Sequence, residues 1–79
     1  MDFDAWNVDL KNKSAFHITG FRIVIEGNPL QPMGVIPSHF PDVLSAVDQA
    51  RLLRSGMKAL MREARNATYH AQKKAPLQM

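Results

Sequence analysis

Asp42 to Lys74, DVLSAVDQARLLRSGMKALMREARNATYHAQKK, contains no proline and carries two stripes. Apolar or small residues recur at Val43, Val47, Ala50, Leu53, Met57, Leu60, Met61, Ala64 and Thr68, the three-and-four spacing of one helix face. Basic residues recur at Arg51, Arg54, Lys58, Arg62 and Arg65 with the same spacing. At 100° per residue these bases fall within about 80° of one another, and their centre lies roughly 90–100° from that of the apolar stripe. The stretch therefore predicts an amphipathic helix with a positive flank, over about residues 41–68. Ser38 is the expected cap, with Pro41 tolerated in the first turn and Phe40 turned back toward the sheet.

Gly56 interrupts the pattern chemically but not in phase. Inside a helix it costs about 1 kcal/mol relative to alanine, so a bend at Ser55-Gly56 is allowed for. A helix-turn-helix reader of DNA would need a turn there. The basic stripe, however, passes through Gly56 in register, and no Ser, Thr, Asp or Asn follows to cap a second helix. One helix is the better reading.

The residues before it alternate as strands do. Trp6, Val8 and Leu10 are separated by Asn7 and Asp9, and Lys11 to Ser14 is a polar turn of hairpin length. A second extended run, Ala15 to Glu26, changes the parity of its large residues from Phe16 and Ile18 to Phe21, Ile23 and Ile25. A bulge at Gly20 would restore them to one side. Gly27 to Pro32 reads as a loop, and Met33 to Ile36 as a short third strand whose flanking prolines suit a sheet edge. The expected fold is α+β: a two- to three-stranded antiparallel sheet (about 5–10, 15–26, 33–36) followed by one long C-terminal helix. Residues 1–70 form a single domain in this reading, and 71–79, with Pro76, a frayed tail.

Length then suggests an interface. Strands of five or six residues span about 17–20 Å, which roughly thirteen helical residues would cover. The second half of the helix should overshoot the sheet while still carrying apolar side chains. Leu53, Met57, Leu60, Met61 and Ala64 are accordingly the expected oligomer or partner interface, with a two-fold homodimer as the simplest cover.

Composition removes several classes of function. With 79 residues, 46% hydrophobic and without cysteine, the chain is one small globular domain with neither disulfides nor thiolate metal sites. The acidic start, MDFDAWNVDL, lacks the basic-then-apolar pattern of a signal peptide, which makes the cytoplasm the expected location. His17, His39 and His70 have no ligand spacing, the carboxylates show no pairing for acid–base work, and no serine sits in a glycine elbow. No enzyme, metal or cofactor is expected.

What remains is charge. The net charge of +3 is unevenly placed: residues 1–39 carry three bases against four acids, and residues 40–79 seven against three. Acids early and bases late in a helix also suit its dipole, so the asymmetry has an ordinary explanation as well. Arg51, Arg54, Lys58, Arg62 and Arg65 are the candidate surface for an anionic partner. The preferred function is a small non-enzymatic protein–protein interaction or regulatory module, self-associating through its helix and meeting a larger acidic protein. The alternative is a nucleic-acid-binding accessory protein that lays the same stripe on phosphates.

Overall fold

A computed structural model describes residues 2–41 and 43–74, of which 70–74 are described by backbone alone. Four strands, β1 (Trp6–Asp9), β2 (Ser14–His17), β3 (Arg22–Asn28) and β4 (Gln31–Pro37), precede one helix, α1 (Ala46–Lys74). The strands form an antiparallel meander in the order β1-β2-β3-β4. The α+β class and the long C-terminal helix are as the patterning predicts; the strand count is four rather than two or three.

The extra strand comes from the parity change at Gly20. It is a hairpin, not a bulge: His17 N–H donates to Phe21 O at 2.7 Å, Gly20 N–H donates to His17 O at 2.9 Å, and Gly20 sits at φ +94°. A tight reversal and a bulge both change parity, so alternation alone does not separate them. The bulge lies further on, as a register shift between Glu26 and Gly27, where Gly27 has φ +86°. The expected loop at 27–32 shrinks to Pro29-Leu30, because Asn28 and Gln31 pair and the Asn28 side chain accepts from Leu30 N–H at 2.9 Å.

Proline placement identifies β4 as an edge. Ser38 N–H donates to Arg22 O at 2.8 Å, and Arg22 N–H donates to Ser38 Oγ at 2.9 Å. Neighbouring residues of a strand point their N–H groups to opposite sides, so Pro37 turns its nitrogen to the open edge, where no bond is lost. Ser38 thus finishes the sheet. The helix cap is Ser45 instead, its Oγ accepting from Asp48 N–H at 3.2 Å, and the helix begins at Ala46 rather than near 41. Between them Phe40 turns back and stacks on Phe21 at 4.6 Å, as expected.

The polar turn after β1 holds Lys13 at φ +54°, a left-handed conformation that costs a side-chain-bearing residue about 1–2 kcal/mol. Glycine there would recover that strain and give back about 0.5–1 kcal/mol of unfolded-state entropy. Lys13→Gly is expected to stabilise the chain by about 0.5–1 kcal/mol in urea unfolding. A loss of stability would mean that the lysine side chain contributes more than its backbone costs.

Cross-strand register places Trp6, Val8, Ala15, His17, Ile23, Ile25 and Val35 on one face of the sheet. The helix lies on that face, mainly across β1 and β2. Ala15, Phe21, Ile23, Ile25, Leu52 and Leu60 form the buried cluster, with Trp6, Leu53 and Met57 packed against it. His17, which has no ligand spacing in the sequence, is buried too. Its Nε2–H donates to Asp2 O at 2.7 Å, while Nδ1 accepts from Thr19 Oγ1 at 2.9 Å and Thr19 N–H at 3.3 Å. It ties the N-terminal segment to the β2–β3 hairpin.

The helix is continuous at Gly56, and the reason is close packing. A Cβ at Gly56 would stand 2.7 Å from two carbons of the Trp6 ring and 2.9 Å from Ile23 Cδ1. The buried arc therefore runs through Leu52, Gly56, Ala59, Leu60 and Ala64, roughly 160° from the basic stripe rather than 90–100°. Val43 and Val47, counted as apolar-face residues by periodicity, are 91% and 70% exposed.

The overshoot is shorter than strand length implies. Leu60 is 0% exposed and Ala64 is buried within the chain's own fold, so neither is open to a second molecule. Leu53 and Met57 are half-buried against the same core. Of the five expected interface residues, only Met61 is half-exposed without belonging to the cluster or its packed neighbours. Leu60 belongs to the cluster that holds Ile23 and Ile25 of the seven-residue β3, which the helix also contacts. Cover ends at Ala64: Glu63, on the sheet side, is already exposed, and residues 65–69 are exposed throughout. The helix continues to Lys74, past the expected end near 68; residues 75–79 of the expected tail lie outside the described residues.

Candidate anion-binding ridge

Arg51, Arg54, Lys58, Arg62 and Arg65 are all exposed and stand nearly opposite the buried arc. Helical rise sets them about 4.5–6 Å apart along the axis, over roughly 21 Å in all. They form a ridge because residues three and four apart share a face, and the sheet occupies the other side. The sequence stripe thus survives folding intact. Among the described residues the only ion pair is Arg51 Nη1 to Asp48 Oδ1 at 3.8 Å, between side chains that are 61% and 39% exposed. Such a pair contributes little in water. Arg54, Lys58, Arg62 and Arg65 have no carboxylate within that range among the described residues.

The N-terminal end of the ridge is more structured than periodicity suggests. The Arg51 guanidinium lies 4.4 Å from the centre of the Phe3 ring, a cation–π distance. Trp6 Nε1–H donates to Phe3 O at 2.8 Å and stands 3.2 Å from Ser55 Oγ. Ser55 Oγ in turn lies within hydrogen-bonding reach of Phe3 O and, at 3.0 Å, of Asp4 Oδ1. Having one proton, the hydroxyl donates to one of these acceptors at a time. This corner holds residues 3–6 against the helix and leaves an open hollow of about 240 Å³ lined by Phe3, Asp4, Arg51, Arg54, Ser55 and Lys58. Its sequence signal was Ser55-Gly56, a pair of small residues in a helix that gives a strand tryptophan room to approach.

A second hollow, of about 340 Å³, lies further along, between Lys58, Met61, Arg62 and Arg65. Here three cations surround an apolar side chain. Tyr69 continues the ridge at 60% exposure.

Other chemistry finds less support. Among the described residues no group of three His, Asp or Glu side chains is placed to hold a metal ion. His17 is occupied in the N-terminal tie, His39 is exposed in the segment before the helix, and the side chain of His70 lies outside the described residues. Among the described residues no helix is long and apolar enough to cross a membrane. The far side of the sheet offers a small apolar strip, Phe16, Val24 and Ile36, with Arg22 reaching 5.9 Å from the Phe16 ring. Comparison with protein-family descriptions, curated proteins and solved structures finds no match.

Proposed function

We propose that this chain is a small non-enzymatic binding module that takes up an acidic protein surface along the α1 ridge. The observation that carries the reading is the row of exposed cations from Arg54 to Arg65 without carboxylate partners among the described residues. A folded domain ordinarily intersperses charges of both signs on its surface. A one-sign row of this length steers and orients an oppositely charged partner more than it stabilises the fold. The Phe3 ring beneath Arg51 holds the first cation of the row in place.

Poly-L-glutamate is a suitable generic probe, followed by amide chemical shifts. Shifts are expected to cluster at residues 51–65 and to shrink as salt is raised. The triple variant Arg54→Glu, Lys58→Glu, Arg62→Glu should keep the fold, since all three side chains are exposed, and bind at least tenfold more weakly, about 1.4 kcal/mol. Equal binding by that variant would overturn the reading. So would tighter binding of a 20-base-pair duplex with a salt slope near roughly −0.9 per phosphate contact, which would assign the ridge to nucleic acid.

A further inference from the structure

Between the buried arc and the basic ridge, α1 carries a third strip. At 100° per residue, Ala50, Leu53, Met57 and Met61 fall within about 80° of one another, and Arg54, Lys58 and Arg65 lie along its outer margin. Ala50 is exposed and Met57 and Met61 half-exposed, while no charged side chain interrupts the strip itself. The Met61 hollow joins the two features, with Lys58, Arg62 and Arg65 around it. Resting on the reading of the ridge as a binding surface, we infer that the partner is an amphipathic helix with carboxylates along one margin. It lies lengthwise on this strip, its apolar residues on Met57 and Met61 and its Asp or Glu side chains against Arg54, Lys58, Arg62 and Arg65.

Charge complementarity selects this occupant. A second copy fits poorly. In a two-fold antiparallel pairing, each helix turns the same flank to the same side of the interface, so the two basic rows would run beside each other. In a parallel pairing, each row would meet the partner's sheet. Either arrangement leaves the cations unanswered. A phosphate backbone would satisfy the cations but leave the methionine strip uncovered. An acidic amphipathic helix covers both, at the i, i+3, i+4, i+7 spacing by which such helices dock, and methionine side chains adapt readily to the facing surface.

The test uses a synthetic fluorescein-labelled peptide of 18 residues, with leucine at that spacing and glutamate along one flank. Its control has the same composition in an order that abolishes the stripe. Fluorescence anisotropy is expected to show at least tenfold tighter binding of the patterned peptide. Met61→Gln, at a half-exposed position, should weaken that binding about fivefold, a larger factor than its effect on poly-L-glutamate binding. Equal affinity for the two peptides, or no effect of Met61→Gln, overturns the inference; if poly-L-glutamate still binds at residues 51–65, the ridge reading stands alone. If neither peptide nor polymer binds, both readings fall. A wild-type dimer in sedimentation velocity at 200 µM that Met61→Gln dissociates would assign the strip to a second copy and also overturn it.

Discussion

Leu60→Asp is expected to leave the chain largely unfolded at 25 °C, rather than to separate a dimer into folded monomers. Leu60 is 0% exposed and belongs to the cluster formed with Ala15, Phe21, Ile23, Ile25 and Leu52. A domain of this size has a total stability of about 4–12 kcal/mol at 0.05–0.15 kcal/mol per residue. A carboxylate at that position loses the leucine contacts, worth about 2–5 kcal/mol on truncation to alanine. It also adds the cost of burying an unpaired polar group, several kcal/mol even when the acid becomes neutral. Together these meet or exceed the available stability. Far-UV circular dichroism should show loss of the α1 signal, and Leu60→Ala should remain folded with its urea midpoint lowered by about 2–5 kcal/mol of stability. A Leu60→Asp chain that folds normally would mean that the second half of α1 does not rest on the sheet.

Gly56→Ala is expected to destabilise the chain by up to about 2 kcal/mol, against the usual sign for a glycine inside a helix. At an exposed position the substitution would gain about 1 kcal/mol from helix propensity. Here the added methyl would stand 2.7 Å from the Trp6 ring and 2.9 Å from Ile23 Cδ1. The Ile23 methyl terminates a side chain that can rotate slightly. The Trp6 ring is rigid and is anchored through its Nε1–H to Phe3 O, so the helix must move away from the sheet. Overpacking of this kind costs about 1–3 kcal/mol and outweighs the propensity gain. A double-mutant cycle isolates the contact: with Trp6→Leu in place, Gly56→Ala should become neutral or stabilising, a coupling of about 1 kcal/mol or more. An additive cycle would place the strain elsewhere. A Gly56→Ala chain stabilised by about 1 kcal/mol would put Gly56 on an open face.

The ridge was legible from residue spacing because it needs no long-range information. Five cations at three- and four-residue intervals share a face of any α-helix, and their solvation keeps them outward whatever lies on the other side. The partner interface was less legible. Met61 remains half-exposed, but Leu60 joins the cluster with Ile23 and Ile25 and Ala64 is buried, contacts that residue spacing within the helix does not reveal. Hydropathy also misplaced the buried side. It counted Val43 and Val47, which are exposed, and passed over the buried Leu52 and Ala59 and over Gly56, whose missing side chain lets Trp6 approach.

Local patterning by itself determined the α+β class, the existence of the long helix, the edge character of the proline-bearing strand and the cation ridge. Each follows from chain periodicity, backbone hydrogen-bonding capacity or the solvation of charge, which act over a few residues. Tertiary structure alone decided that the turn at Gly20 is a hairpin, that Ser45 rather than Ser38 caps the helix, and that His17 is buried in a hydrogen-bonded tie. It also decided that the helix docks on Leu52, Gly56, Ala59, Leu60 and Ala64. The physical reason is that burial is a property of two surfaces. A side chain's hydropathy says what its burial would contribute, but the shape of the facing element, here the flat edge of Trp6 against a glycine, says whether the surfaces can meet.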